Sequence, residues 1–148
     1  MACSHSSRAV ARPTRLSDRL LLAVNSQTLL DLHTQWAWIV VIANALAGIW
    51  ALFAHKIVSL RTRALWWYTA LAQFTVFVEV AMGVLMVNRD KREFPQFHAF
   101  YGFVAIIAIA IIYSYRAQLK SRVYLLYGFG SLFIMGLAIR AILVGNAA

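Results

Sequence analysis

The sequence predicts an all-α fold, an integral membrane up-down-up-down four-helix bundle, and three observations carry that expectation. Four apolar stretches, residues 36–54, 65–87, 97–115 and 123–144, each approach the ~20 residues an α-helix needs to cross ~30 Å of hydrocarbon. The whole chain of 148 residues is 62% hydrophobic and 13% charged with a mean hydropathy of +0.71. A soluble domain is about half apolar and about a quarter charged, so water is the wrong solvent for this composition. Finally, the tryptophans and tyrosines gather near the ends of the four stretches: Trp36, Trp38, Trp50; Trp66, Trp67, Tyr68; Tyr101, Tyr113, Tyr115; Tyr124, Tyr127. Amphipathic rings prefer the headgroup level, and this is the belt a spanning bundle presents there.

In chain order, residues 1–35 read as a separate region. Ser4, Ser6, Ser7, Arg8, Arg12, Pro13 and Arg15 form a basic polar tail. Residues 16–32 then cluster leucines around Asp18, Arg19 and Asp31, the pattern of a helix lying in the membrane interface. The Arg- and Ser-rich start is shared with organellar transit peptides, but Asp18 follows early and no removal site is evident. A secretory signal is disfavoured because residues 20–24 make too short an apolar core before Asn25, Ser26 and Gln27. Residues 36–148 form the transmembrane domain, and its short connectors force neighbouring helices to run antiparallel. Pro95 precedes the third span, where a helix start tolerates it.

Helical spacing sorts each span into faces. Ala37, Val41, Asn44, Gly48 and Ala51 share one face of the first; Ala72, Thr75, Glu79 and Gly83 one face of the second. On the third, His98, Gly102, Ala105 and Ile109 align, and on the fourth Phe129, Phe133, Gly136 and Arg140. Small and polar residues let membrane helices approach, so these four faces are expected to point at one another.

The net charge of +9 would suggest nucleic acid in a soluble protein. Here the cations sit at helix ends, where they hold helices against lipid headgroups, so the expected partner is the lipid bilayer and no nucleic acid. One end, side B, carries Lys56, Arg61, Arg63, Arg116, Lys120 and Arg122. The other, side A, has Arg89, Lys91 and Arg92, with Arg19 near the first span. The excess on side B places it in the cytoplasm and both termini outside. Cys3 has neither a disulfide partner nor an upstream apolar segment that would make a lipoprotein signal.

The ionisable residues inside the spans are the strongest functional clue. Glu79 lies eight residues, roughly 12 Å, from the side A end of its helix, and Asn44 reaches a similar depth. Arg140, four residues from the end of the fourth span, is long enough to extend toward them. A charge at mid-bilayer costs at least ~2.5–3.5 kcal/mol, so the expectation is a Glu79–Arg140 contact with Asn44 nearby. Such a pair either locks helix two to helix four or makes Glu79 a proton or cation site tuned by Arg140. His98 opens the third span and His33 precedes the first, both on side A at interfacial level, so they are candidate ligands for one haem b. His55 on side B has no partner, because His5 is in the tail, which rules out two stacked haems.

Other chemistry is not signalled. Ser114 has no His and Asp arrangement around it, no Cys or His cluster has zinc spacing, and no metal is expected. Gly128 and Gly130 lie within an apolar stretch and read as close-packing positions, while Met82, Met86 and Met135 read as packing residues.

The segments 98–103 (HAFYGF), 113–116 (YSYR), 124–130 (YLLYGFG) and 136–141 (GLAIRA) resemble small four-helix membrane proteins of actinobacterial type. The resemblance covers the last two spans and, more loosely, the first two. It implies a multi-pass protein of the bacterial cell membrane and no activity. The leading expectation is a non-enzymatic accessory or scaffold subunit without a cofactor, acting within a membrane protein complex or as a homo-oligomer. The rival is a small redox carrier with one haem b on His98 and His33, or a proton-handling carrier using Glu79 and Arg140.

Overall fold

The computed structural model describes residues 16–90 and 96–146, and these are helical apart from short connectors. Four helices follow in order: α1 (Leu16–Lys56), α2 (Arg63–Asp90), α3 (Gln96–Tyr115) and α4 (Val123–Asn146). Single 3-10 turns, Val58–Leu60 and Lys120–Arg122, complete the two connectors on side B. The polar tail, Lys91, Arg92 and Pro95 lie outside the described residues.

All four helices are long and apolar enough to cross a membrane, over Gln27–Lys56, Arg63–Asn88, Gln96–Tyr115 and Lys120–Asn146. α1 runs unbroken from Leu16 to Lys56, so the leucine-rich segment and the first span are one helix. No glycine or proline occurs between residues 16 and 47, and nothing there interrupts helical hydrogen bonding. Arg61 closes the other end: its Nε donates to the Ala54 carbonyl at 2.8 Å and a terminal nitrogen to that of His55 at 2.9 Å. Two of the carbonyls a helix leaves open at its C-terminus are thereby satisfied.

Neighbouring helices run antiparallel, as side-chain pairs at both ends record. On α1 and α2, His33 meets Glu79 on side A and Trp50 meets Tyr68 on side B. On α3 and α4, His98 meets Ala141 on side A and Tyr113 meets Tyr127 on side B. α1 packs closely on α4 and α2, and α3 on α4, whereas α2 and α3 touch far less and leave a seam.

α1 meets α4 at two glycines. A Cβ on Gly48 would lie 2.9 Å from the Gly128 carbonyl oxygen, and one on Gly128 would lie 2.6 Å from Leu52 Cδ2. Around this crossing the core gathers Val40, Ala47, Ala51, Ile109, Tyr127 and Ile134, all buried. Bulky side chains such as Phe53, Trp67, Phe74, Phe103 and Phe129 point outward.

The expected face of α4 is rotated in the structure. Phe129 and Phe133 are exposed, Gly136 has no atom within 4 Å of where its Cβ would be, and Arg140 is exposed. The inward face instead carries Tyr127, Gly128, Ser131 and Ile134. Both stripes keep helical spacing, and the one with the smaller side chains at the α1 crossing is buried.

Candidate functional site

The side A half of the bundle encloses a pocket of about 310 Å3. Its mouth lies along the seam: Glu79, Val80 and Gly83 on α2 face His98, Tyr101 and Gly102 on α3. α1 contributes His33, Ala37 and Val40 from behind, and α4 contributes Ala138 and Ala141. The lining is apolar except at one end, where two imidazoles and a carboxylate converge.

His33 Nδ1 lies 3.2 Å from Glu79 Oε1, and this is the one ion-pair contact among the described residues. The distance suits an ion pair, although the N–H direction is not aligned for a hydrogen bond and Glu79 Oε2 has no partner. Both side chains are about 15% exposed, so most of each is withdrawn into the bundle beside the other. The continuous α1 helix explains the pairing. His33 belongs to the Gln27–Lys56 span, which carries it to the level of Glu79 and deeper than its expected place ahead of the first span.

His98 Nδ1 lies 2.9 Å from the Ala141 carbonyl oxygen. A carbonyl accepts only, so Nδ1 donates in this contact and Nε2 is the ring nitrogen outside it. Gly145 makes this contact possible, since a Cβ there would fall 2.8 Å from His98 Nδ1. The two imidazoles stand with centroids 5.8 Å apart and planes at 69°. A Cβ on Gly83 would touch His33 Cε1 at 3.5 Å, so the lining stays close to the ring without crowding it.

The expected Glu79–Arg140 contact is replaced by two separate interactions. Arg140 Nε donates to the Tyr101 hydroxyl at 3.3 Å, and its guanidinium lies 5.9 Å from the centre of that ring. Arg140 stays at an exposed position on α4, while His33 supplies the nearer partner for Glu79. Asn44 also stands apart. Fully buried, its amide donates to the carbonyls of Val40 at 2.9 Å and Ala72 at 3.0 Å, tying α1 to α2. The structure therefore brings together Glu79, His33 and His98, and separates them from Arg140 and Asn44.

Sequence reasoning missed the Ala141 carbonyl, Gly145 and Tyr101 as members of this site. A backbone acceptor has no residue-type signature, and Gly145 follows the fourth stretch as drawn from hydropathy. Three more polar side chains were not anticipated in the core: Gln73 and Ser131, both buried, and the hydroxyl of Tyr127, none within hydrogen-bond geometry of a partner among the described residues.

Among the described residues no group of three or more His, Cys, Asp or Glu side chains is placed to hold a metal ion. No protein-family model, curated protein or solved structure matches this chain.

Proposed function

We propose that this chain is a multi-pass protein of a bacterial cell membrane that carries single electrons on one haem b, bound on side A between His33 and His98. One observation carries the reading: the His33 and His98 rings stand edge to face with centroids 5.8 Å apart at the wall of an apolar pocket, His98 Nδ1 bonded to the Ala141 carbonyl and His33 Nδ1 3.2 Å from the Glu79 carboxylate without a hydrogen bond, so Nε2 of each ring is the nitrogen offered as a ligand. Metal-bound histidines are held this way, because a partner on the far nitrogen fixes the ring's orientation and raises its basicity. Two histidines from different helices at one level are what a haem b would take from the protein.

The same inventory favours a macrocycle over a bare ion. Two histidines fall short of the four ligands of a closed zinc site, whereas a porphyrin supplies four nitrogens of its own and asks the protein for two axial ligands. A pocket of about 310 Å3 is at the lower end of small-molecule sites, and its opening along the α2–α3 seam gives a flat group room to extend. Ala37, Gly83, Ala99, Gly102, Ala105 and Ala138 keep that lining low. The bound iron would supply a one-electron ferric/ferrous couple; the chain supplies ligands, an apolar surround and a carboxylate behind one ligand.

The test is purification of the full-length protein in mild detergent from cells supplied with a haem precursor, followed by oxidised and reduced absorption spectra and mass spectrometry. A Soret band with a sharp reduced α band is expected. His33→Ala and His98→Ala should each abolish this low-spin spectrum, and His55→Ala should leave it intact. Absence of a Soret band even with added haemin overturns the proposal, as does an unchanged spectrum in either ligand variant. In that event, a stoichiometric membrane partner in the mass spectrum would point to the accessory-subunit function.

A further inference from the structure

Side B carries a second site, independent of the haem reading. We infer that a pocket between the ends of α2, α3 and α4 binds the phosphodiester of an anionic phospholipid, with Arg116 and Lys120 as its cationic ligands. The pocket measures about 460 Å3 and is lined by Trp66, Tyr113, Arg116, Ala117, Lys120 and Val123. Its charge is uncompensated. All five acidic residues of the chain lie before residue 32 or between residues 79 and 93, and no carboxylate pairs with Arg116 or Lys120 among the described residues.

The cations of side B do not all share this role. Arg61 is committed to the α1 C-terminus and to the ring of Tyr124, 5.0 Å from its guanidinium. Arg116 instead lines the pocket, 5.7 Å from the Trp66 ring centre and interacting with the Tyr127 hydroxyl behind it. Trp66 is itself fixed, edge-to-face on buried Tyr127 at 5.2 Å, and Tyr127 meets Tyr113 at 5.7 Å. Two walls of the pocket are thus braced from behind by one buried ring, which gives the site a defined shape. The N-termini of α2 and α4, without acidic residues in their first turns, add potential of the same sign.

The surroundings select a lipid as the source of the phosphate. Indole and phenol rings are the groups that settle at headgroup level, and below them the outward face of α3 continues into exposed Ile111 and Ile107. A phosphodiester with acyl chains uses both the cations and that apolar face, whereas a free phosphate uses the cations alone. Arginine and lysine near a membrane surface bind anionic lipid through this charge term.

The experiment is native mass spectrometry of the full-length protein in mild detergent, titrated with phosphatidylglycerol, with phosphatidylcholine of the same acyl chains, and separately with inorganic phosphate. Phosphatidylglycerol should be retained about thirtyfold better than phosphatidylcholine, the effect of two cations at a membrane surface. Arg116→Ala with Lys120→Ala should remove that preference. Lys56→Ala with Arg122→Ala, which takes the same charge from the same end, should keep it. Equal loss in both double variants would assign the binding to diffuse charge and overturn the site. Equal retention of the two lipids, or displacement of phosphatidylglycerol by inorganic phosphate, would overturn it as well.

Discussion

Asn44 and Glu79 are polar side chains on adjacent helices, Asn44 at the level of Ala72 and so seven residues, about 10 Å, along α2 from Glu79, and the bundle satisfies them differently. The Asn44 amide is bonded to backbone on two helices, so it needs no charged partner. Interhelical hydrogen bonds in membranes average about 0.6 kcal/mol with a maximum near 1.7, and truncation of a fully buried side chain adds a cavity cost, so Asn44→Ala should destabilise by about 1–2 kcal/mol. Unfolding of the detergent-solubilised protein by titration with sodium dodecyl sulfate measures this. Because Asn44 does not line the side A pocket, haem retention in folded Asn44→Ala should match the unsubstituted protein. An unchanged unfolding midpoint would mean that the two hydrogen bonds do not tie α1 to α2. Glu79 has no such backbone refuge, and its pairing with His33 follows from its position. A carboxylate with one buried, unpartnered oxygen is stabilised by whichever cation-capable group the packing presents, and α1 presents His33.

Among the helices, α1 and α4 make the closest approach, and its tolerance can be read from two glycines. A methyl on Gly48 would meet the carbonyl oxygen of Gly128 at 2.9 Å and Leu132 Cγ at 2.8 Å. Backbone cannot rotate aside as a side chain can, so Gly48→Ala must push α1 and α4 apart, at a cost of about 1–3 kcal/mol. Gly136→Ala meets nothing within 4 Å and should be neutral or slightly stabilising, since alanine favours helix over glycine. Thermal unfolding in one detergent compares the two; equal midpoints would refute the asymmetry. The same pair explains what could be read ahead of the structure. Four helices and their antiparallel order were legible, because hydropathy and connector length determine them. The inward face of α4 was not: it carries Gly128 and Ser131, its outward face carries Gly136 and Arg140, and the small-residue rule cannot choose between two such stripes. The site was legible in part. His33 and His98 were read at one end of the chain's spans, and treating His33 as preceding the span hid its reach to Glu79, which the uninterrupted α1 makes possible.

Across the whole molecule the charge is polarised. Side B carries six Lys/Arg within the connectors and adjoining helix ends and no acidic residue, whereas every Asp and Glu lies in sequence segments leading to side A. Lysine and arginine in short connectors resist translocation, and the membrane potential adds ~2.3 kcal/mol per charge per 100 mV in favour of keeping them in the cytoplasm. Acidic residues contribute little to that rule, so the competing vote comes from Arg19, Arg89, Lys91 and Arg92, with the tail arginines further away. The expected orientation therefore places side B in the cytoplasm and the His33–His98 pocket in the outer half of the bilayer. Anionic lipid of the cytoplasmic leaflet would then meet Arg116 and Lys120, and the side A pocket would face outside beside exposed Arg140 and half-buried Tyr101. Alkaline phosphatase fused after Ala148 should accordingly be active, and a fluorescent protein fused there by the same secretion route should be dark. Removing Arg61, Arg63, Arg116 and Lys120 together should weaken the bias and yield a mixed population, whereas removing Arg8, Arg12 and Arg15 should strengthen it. A C-terminal phosphatase that is inactive while the same fusion is stably made would reverse the assignment, and would bring the side A pocket to the cytoplasmic face and the side B pocket to the outer leaflet.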